Sequence, residues 1–427
     1  MKQRRAIRTA SLTLALAASL TAATLVPAAY AQPSGVRADQ ADGGHGATRA
    51  ALRAMVEAAG QPGIGAAARD ARGDWFGTAG AADTGTGRKY RAKDHFRVAS
   101  ITKVFIATVV LQLEAEGRLR LDDTVEQWLP GLLQGNGYDG RKVTLRQLLN
   151  HTSGIANYTE DRAFINNAAG PGFLEHRYDT HTPEELVAVA LKHAPPRDPK
   201  LGPYYSNTGF VIAGMVIEKV TGRSYGREVA RRILHPLKLR DTSFPGTSPY
   251  LPKSHPVAYS KFHQSDPAPI HDATEQNMTW LGASGDAIST TGDLNRFQRA
   301  LVQGKLLPQA QMKDMLTEVP VNKYSSYGLG VEFATLSCGV KVVGKSGRTN
   351  GSLSAMVGTQ DGKHQLAFNV NGDWMPNGQY YVDVVEAEFC GKLPHTPAKP
   401  SPTASAPAAG PAGASPADSL PALTRGR

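Results

Sequence analysis

The chain reads as an α/β (α+β) protein. One antiparallel sheet is assembled from the N- and C-terminal segments and flanked by helices, and a mostly helical region of about residues 100–300 is inserted between them. Three observations predict this. Near the start, two strand-like runs, Ile64–Arg69 and Trp75–Ala79, flank Asp70-Ala71-Arg72-Gly73-Asp74, a turn-forming stretch that reads as a hairpin. The middle of the chain carries helix-start signals. After Tyr327 the apolar pattern changes to period two, through Tyr327–Leu336, Val340–Lys345, Leu353–Thr359 and His364–Val370. Strands at both ends and helices between them imply one sheet with a helical region packed on it.

In order along the chain, apolar residues recur at helical spacing from Ala47 to Ala59, and Gly60 stops the run. The hairpin follows. A helix then begins around Ser100 and runs to about Glu116-Gly117. Thr144 with Gln147 forms a capping box ahead of Leu145–Leu149, and Thr182-Pro183-Glu184-Glu185 forms another with proline in the first turn. Phe210–Val220 and Tyr225–Leu234 are further helices, separated by Thr221-Gly222. Asp361-Gly362 is a strong hairpin signal between the last two strands, and Tyr381–Phe389 reads as a closing helix.

The two ends have a different composition. Residues 1–31 read as a cleaved secretory signal: a basic start, an apolar stretch from about Leu12 to Val26, and the small-x-small site Ala29-Tyr30-Ala31. Arg4-Arg5 leaves the export route open. Residues 32–46 are polar and Gly-rich, an expected disordered leader. Residues 394–427 form a Pro/Ala-rich tail that cannot build a core and has no apolar run of membrane length. The domain that carries the chemistry is therefore expected at 47–393, secreted and monomeric, with no stable membrane anchor. The formal charge of +10 includes four basic residues before Ala31 and a net two positive charges after Leu393; ten less four less two leaves +4 on residues 32–393. That charge is mild and dispersed, with no basic run beside aromatics, which argues against nucleic-acid binding. Export also gives the two cysteines, Cys338 and Cys390, a simple reading as a disulfide that clamps the C-terminal helix to the sheet; two buried free thiols are the alternative.

Three clusters carry chemistry. Ser100 and Lys103 lie one helical turn apart, so the ammonium and the hydroxyl can meet on one face. A serine hydroxyl needs a partner to take its proton, and a lysine in apolar surroundings can be that base. In Gly202-Pro203-Tyr204-Tyr205-Ser206-Asn207-Thr208-Gly209, a phenol and an amide stand two residues apart before a helix. Gly344-Lys345-Ser346-Gly347-Arg348 puts an ammonium and a hydroxyl on a strand, with Gly347 open to close backbone approach. Taken singly, Tyr205 could be a surface aromatic and Asn207 a plain helix cap. His151, His176, His181 and His193 lack ligand spacing, so structural or surface histidines are expected, with no metal and no cofactor. No Gly-x-Ser-x-Gly is present, which argues against an α/β-hydrolase elbow.

In this order the three clusters resemble the serine penicillin-recognising family: D-alanyl-D-alanine carboxypeptidases, class C beta-lactamases and related esterases. The resemblance extends to Leu148-Leu149-Asn150-His151-Thr152-Ser153-Gly154-Ile155, His235-Pro236-Leu237, Asp241-Thr242-Ser243-Phe244 and Gly285-Asp286-Ala287-Ile288-Ser289-Thr290, and so covers most of residues 47–393. The secreted Streptomyces carboxypeptidase branch looks nearest, since Leu336-Ser337-Cys338-Gly339 is similar there too. The resemblance implies a beta-lactamase/transpeptidase-like fold and an acyl-enzyme at Ser100. It implies that Lys103 or Tyr205 is the general base, and that Asn207 positions Lys103 and the substrate amide. Lys345 and Ser346 would face the substrate carboxylate or the leaving group, and the backbone N–H groups of Ser100 and Arg348 would form an oxyanion hole. The expected substrate is a D-Ala-D-Ala-type cell-wall peptide or a beta-lactam. Beta-lactamase and carboxylesterase activity are rival readings, and a penicillin- or wall-peptide-binding module without turnover is the rival outside enzymology.

Two departures from the family pattern bear on this. Lys345-Ser346-Gly347 stands where this branch often has His-Thr-Gly, which keeps a cation and a hydroxyl. Glu332 stands where the carboxypeptidases are expected to have an arginine for the substrate's terminal carboxylate. A carboxylate there repels that group, and Arg348 is the candidate replacement.

Overall fold

A computed structural model describes residues 44–196, 198 and 202–395. The expected signal segment, most of the leader and all but the first two residues of the tail lie outside them. An amphipathic helix α1 (Gly46–Glu57) comes first, burying Thr48, Ala51, Leu52 and Met55 at helical spacing. Strands β1 (Gly63–Asp70) and β2 (Gly73–Gly80) form the expected hairpin, with Asp70 opposite Gly73. The inserted region contains α2 (Thr102–Ala115), α3 (Leu145–Leu149), α4 (Pro183–Leu191), α5 (Asn207–Thr221) and α6 (Thr291–Val302), joined by long loops and shorter turns of helix. Both predicted capping boxes form, Thr144 with Gln147 and Thr182 with Glu185.

The chain then returns to the sheet through β3 (Val319–Pro320), β4 (Ser325–Tyr327), β5 (Glu332–Thr335), β6 (Lys341–Thr349), β7 (Ser352–Thr359) and β8 (Gln365–Val370), and ends in α7 (Gln379–Cys390). The strand order is β2-β1-β8-β7-β6-β5-β4-β3, antiparallel throughout, so the first hairpin pairs with the last strand. Tyr327–Leu336 is not one strand, as its alternation had suggested. It breaks into β4 and β5 at a turn where Gly330 adopts φ +80° and a Cβ on Gly328 would run into the Met315 carbonyl.

Period-two alternation sorts the strand side chains onto two cores. Ile64, Ala66, Ala68, Leu366, Phe368 and Val370 pack with α1 and α7 on one face. Val343, Met356 and Ala367 face α2, α5 and α6 on the other. The Cys338–Cys390 disulfide forms, tying the turn before β6 to the last residue of α7. Beside it, the buried Glu388 of α7 accepts hydrogen bonds from Thr48 of α1 (2.7 Å), from His45 (3.0 Å) and from His364 next to β8 (2.7 Å).

Candidate active site

Ser100 lies where the inserted region meets β4–β6, beside Tyr327, Glu332 and Lys345. The short strand Phe96–Arg97 leads to Val98, and Ala99 then turns the chain with φ +48°, a strained value for a residue with a side chain. The turn is held from several sides: the Val98 N–H donates to the Ala287 carbonyl (3.0 Å), and Ser354 Oγ donates to the Val98 carbonyl (3.0 Å). A Cβ on Gly347 would meet that same carbonyl, so the glycine is what lets β6 run beside the Ser100 turn. The close approach it permits is to the protein's own backbone, although Gly347 also lines the cavity.

From Ser100 a single 3-10 turn leads into α2, which places Lys103 on the same face. Lys103 Nζ lies 3.0 Å from Ser100 Oγ, 2.6 Å from Asn207 Oδ1 and 2.8 Å from the Ser284 carbonyl, and the side chain is fully buried. Tyr205 Oη donates to Ser100 Oγ at 2.8 Å. The 150–158 loop holds Tyr205 in place. The His151 carbonyl accepts from Tyr204 N–H (2.7 Å), His151 Nδ1 accepts from Ser206 N–H (3.2 Å), and Asn157 Oδ1 accepts from Asn207 N–H (3.1 Å). The Lys103 and Lys345 ammonium groups stand 5.0 and 5.2 Å from the centre of the Tyr205 ring. Ser100, Tyr205 and Lys345, from three distant parts of the chain, therefore line one cavity of about 210 Å³ together with Ser346, Gly347 and Arg348 among others, and Lys103 reaches Ser100 from behind that wall.

Asn207 fulfils the part of its expected role that concerns Lys103, and two other predicted site residues sit differently from the sequence expectation. Asn207 is buried and is not among the lining residues. Its carbonyl holds Lys103 and its NH2 donates to Thr159 Oγ1 (3.2 Å), so it positions the lysine. Lys345 does not present an uncompensated charge: it forms an ion pair with Glu332 across β5 and β6, and Glu332 also accepts from Ser346 Oγ at 3.1 Å. Arg348 lines the cavity, but its guanidinium donates to the Asp373 carbonyl (2.9 Å) and contacts His263 Nδ1 (3.2 Å).

Other contributors were not marked by the sequence. Ser284 contributes a backbone carbonyl, which no side-chain pattern could reveal. His151, read as an ordinary structural histidine, is one of the cavity-lining residues, and so are Ser325 and Tyr327 of β4. Burial, and then Lys103 and Lys345, push the His151 imidazole well below the usual histidine range, so it is neutral. Among the described residues no cluster of three or more His, Cys, Asp or Glu could hold a metal, and no helix is long and apolar enough to cross a membrane.

A serine hydroxyl contacted by a buried lysine and a phenol, at the rim of an antiparallel sheet covered by helices, defines a serine hydrolase of the beta-lactamase fold. The chain belongs to the beta-lactamase family, whose model matches residues 48–380. Among solved structures it is similar to a D-stereospecific amidohydrolase from Streptomyces sp., at 53% identity over 82% of this chain and 99% of that one, with a TM-score of 0.77. It is also similar to the D-amino acid amidase from Ochrobactrum anthropi SV3, at 26% identity over 80% of this chain and 97% of that one, with a TM-score of 0.68. Penicillin-binding protein 4 of Amycolatopsis lactamdurans is 31% identical over 52% of this chain and 55% of its own length. Penicillin-binding protein 4* of Bacillus subtilis is 28% identical over 66% and 62%. The chain thus spans less than two thirds of the length of these penicillin-binding relatives.

Proposed function

We propose that this protein is an exported serine hydrolase that forms an acyl-enzyme at Ser100 and cleaves aminoacyl amide and peptide bonds of D-configured substrates, in preference to trimming free D-alanyl-D-alanine ends. One observation carries the preference: Glu332 occupies the cation and the hydroxyl, Lys345 and Ser346, that a substrate carboxylate would need. A free carboxylate entering there meets a like charge and a cation already paired, so an uncharged amide is the better fit. The D-configuration is supported by the two amidohydrolases to which the chain is similar.

In this reading Ser100 Oγ attacks the substrate carbonyl and its proton passes into the Tyr205–Lys103 pair. Two N–H groups of Lys103 are fixed by the Asn207 and Ser284 oxygens, which aims the remaining position on Nζ at Ser100. Lys103 enters this step as the neutral amine; once it has taken the proton, its ammonium and that of Lys345 flank Tyr205 and stabilise the negative charge left on the phenol oxygen when Tyr205 donates. The oxyanion is met by the backbone N–H groups of Ser100 and Arg348. When the C–N bond breaks, Tyr205 returns a proton to the departing nitrogen, and water then hydrolyses the acyl-enzyme.

The test is a turnover panel: a D-aminoacyl amide, acyl-D-Ala-D-Ala with a free carboxylate, a cephalosporin and a short ester. Multiple turnover with the highest kcat/KM on the amide, lost in Ser100→Ala, is the expected result. Stoichiometric acylation without turnover would favour a binding module, and a preference for the free carboxylate would refute the role given to Glu332.

A further inference from the structure

Three buried polar atoms have no hydrogen-bond partner among the described residues and belong to side chains that line the Ser100 cavity: His151 Nε2, Ser325 Oγ and Tyr327 Oη. Their residues are 2, 7 and 4% exposed. Buried polar groups are normally paired, and three orphans on one cavity wall call for a partner that comes from outside the chain. We infer that this wall is a binding subsite for a neutral amide carried by the leaving group, that is, a peptide or carboxamide group attached to the amine that departs. The inference rests on the reaction proposed above and adds to it the chemistry of the leaving side.

The alternation of β4 puts Ser325 and Tyr327 on one buried face, while Ser326 between them turns its hydroxyl to Glu318 on the other. On the facing loop, His151 Nδ1 accepts from Ser206 N–H, which assigns the imidazole proton to Nε2. The imidazole is neutral for the reasons given above. The Tyr327 phenol is held well above its usual range by burial, and by Tyr205 and Glu332 beside it, so it too keeps its proton. The wall therefore offers two neutral donors and a serine hydroxyl that can donate or accept, and the Lys345 ammonium, 5.7 Å from the Tyr327 ring centre, is covered by Glu332. That set matches a carbonyl oxygen with an amide N–H beside it; a carboxylate would meet the Glu332 charge beside Tyr327, and an ammonium would find too few acceptors.

The position of the wall assigns it to the leaving side. The His151 ring centre lies 4.3 Å from that of Tyr205, and the Tyr327 ring centre lies 4.5 Å from His151 and 6.5 Å from Tyr205. His151 and Tyr327 thus flank the residue that hands its proton to the departing nitrogen, with Ser325 on the same strand face as Tyr327, and what that nitrogen carries is presented to them. Ammonia leaves the wall empty, whereas an amino acid amide fills it.

Three substrates with one acyl group test this: D-alanyl amide, D-alanyl-D-alanine and D-alanyl-D-alaninamide. The last should have a kcat/KM at least about tenfold above the other two, the worth of roughly one hydrogen bond to an otherwise orphaned group. Tyr327→Phe and Ser325→Ala should each lower kcat/KM for D-alanyl-D-alaninamide about tenfold more than for D-alanyl amide, mainly through KM. Thermal melts and penicillin labelling of Ser100 would show that the variants are folded. No preference in the wild type, or equal losses on both substrates, would overturn the subsite. Absence of turnover on all three with no labelling at Ser100 would remove the underlying reaction as well, and so separates the two failures.

Discussion

Glu332 holds a lysine at the cavity, and in the proposed reading that pairing sets what the cavity accepts. Its carboxylate and the Lys345 ammonium are both largely buried, so removing either charge leaves the other without a partner. Glu332→Gln is therefore expected to destabilise the protein by about 3 kcal/mol in urea unfolding. The same change frees Lys345 for a substrate carboxylate and should raise the kcat/KM ratio of carboxylate-ended to carboxamide-ended peptides by about tenfold. A ratio that stays constant would mean that Lys345 does not face the leaving side. Ser100, Lys103, Tyr205 and Lys345 were legible in the sequence because each sits in a short motif whose spacing makes physical sense by itself. Glu332 was legible only as a departure from a pattern, since its partner depends on the register of β5 against β6. Ser284 was not legible at all, because backbone carbonyls have no sequence signature. His151 is the structural histidine expected, buried and bonded to the Tyr205 segment; that it also lines the cavity was not legible, because it follows from how the 150–158 loop grips that segment.

Among the elements, α1 and α7 are joined through a buried carboxylate. Burial alone would raise the pKa of Glu388, but hydrogen bonds from His364, His45 and Thr48 outweigh it and hold it at about 2, below its ordinary 4.5. A depressed carboxylate pKa contributes stability that is fully present above about pH 4.5 and is lost as the pH falls towards 2. The contribution is about 3 kcal/mol at neutral pH. Glu388→Gln should lower neutral-pH stability by that order and flatten the acid limb of a stability-versus-pH curve between those values. An acid limb identical to that of the wild type would contradict the assignment. The capping boxes and the Asp361-Gly362 hairpin could be read in advance because each is decided within a few residues. The break between β4 and β5 could not be, since Gly328 and Gly330 are required by contacts with Met315 and with Ala107 of α2.

For the whole molecule, a sheet built from both ends of the chain was predictable from the two separated stretches of strand pattern. The strand order was not, since alternation assigns faces and not neighbours. Closing the sheet depends on bringing β1 to β8 across most of the chain, and the Cys338–Cys390 bridge stabilises the late half of that arrangement. It closes a span of 52 residues, for which chain entropy allows up to about 4 kcal/mol. The Cys338→Ala/Cys390→Ala double variant should lose most of that in equilibrium unfolding. A loss below about 1 kcal/mol would mean that the two core faces alone fix α7.

The central claim is covalent chemistry at one hydroxyl. Acid-quenched protein, taken during turnover of a D-aminoacyl ester and analysed by peptide mass spectrometry, tests it directly. An acyl adduct on the peptide containing Ser100 in the wild type, absent from Ser100→Ala, is the predicted result. Steady turnover with no adduct at Ser100, or an adduct that survives in Ser100→Ala, would contradict it.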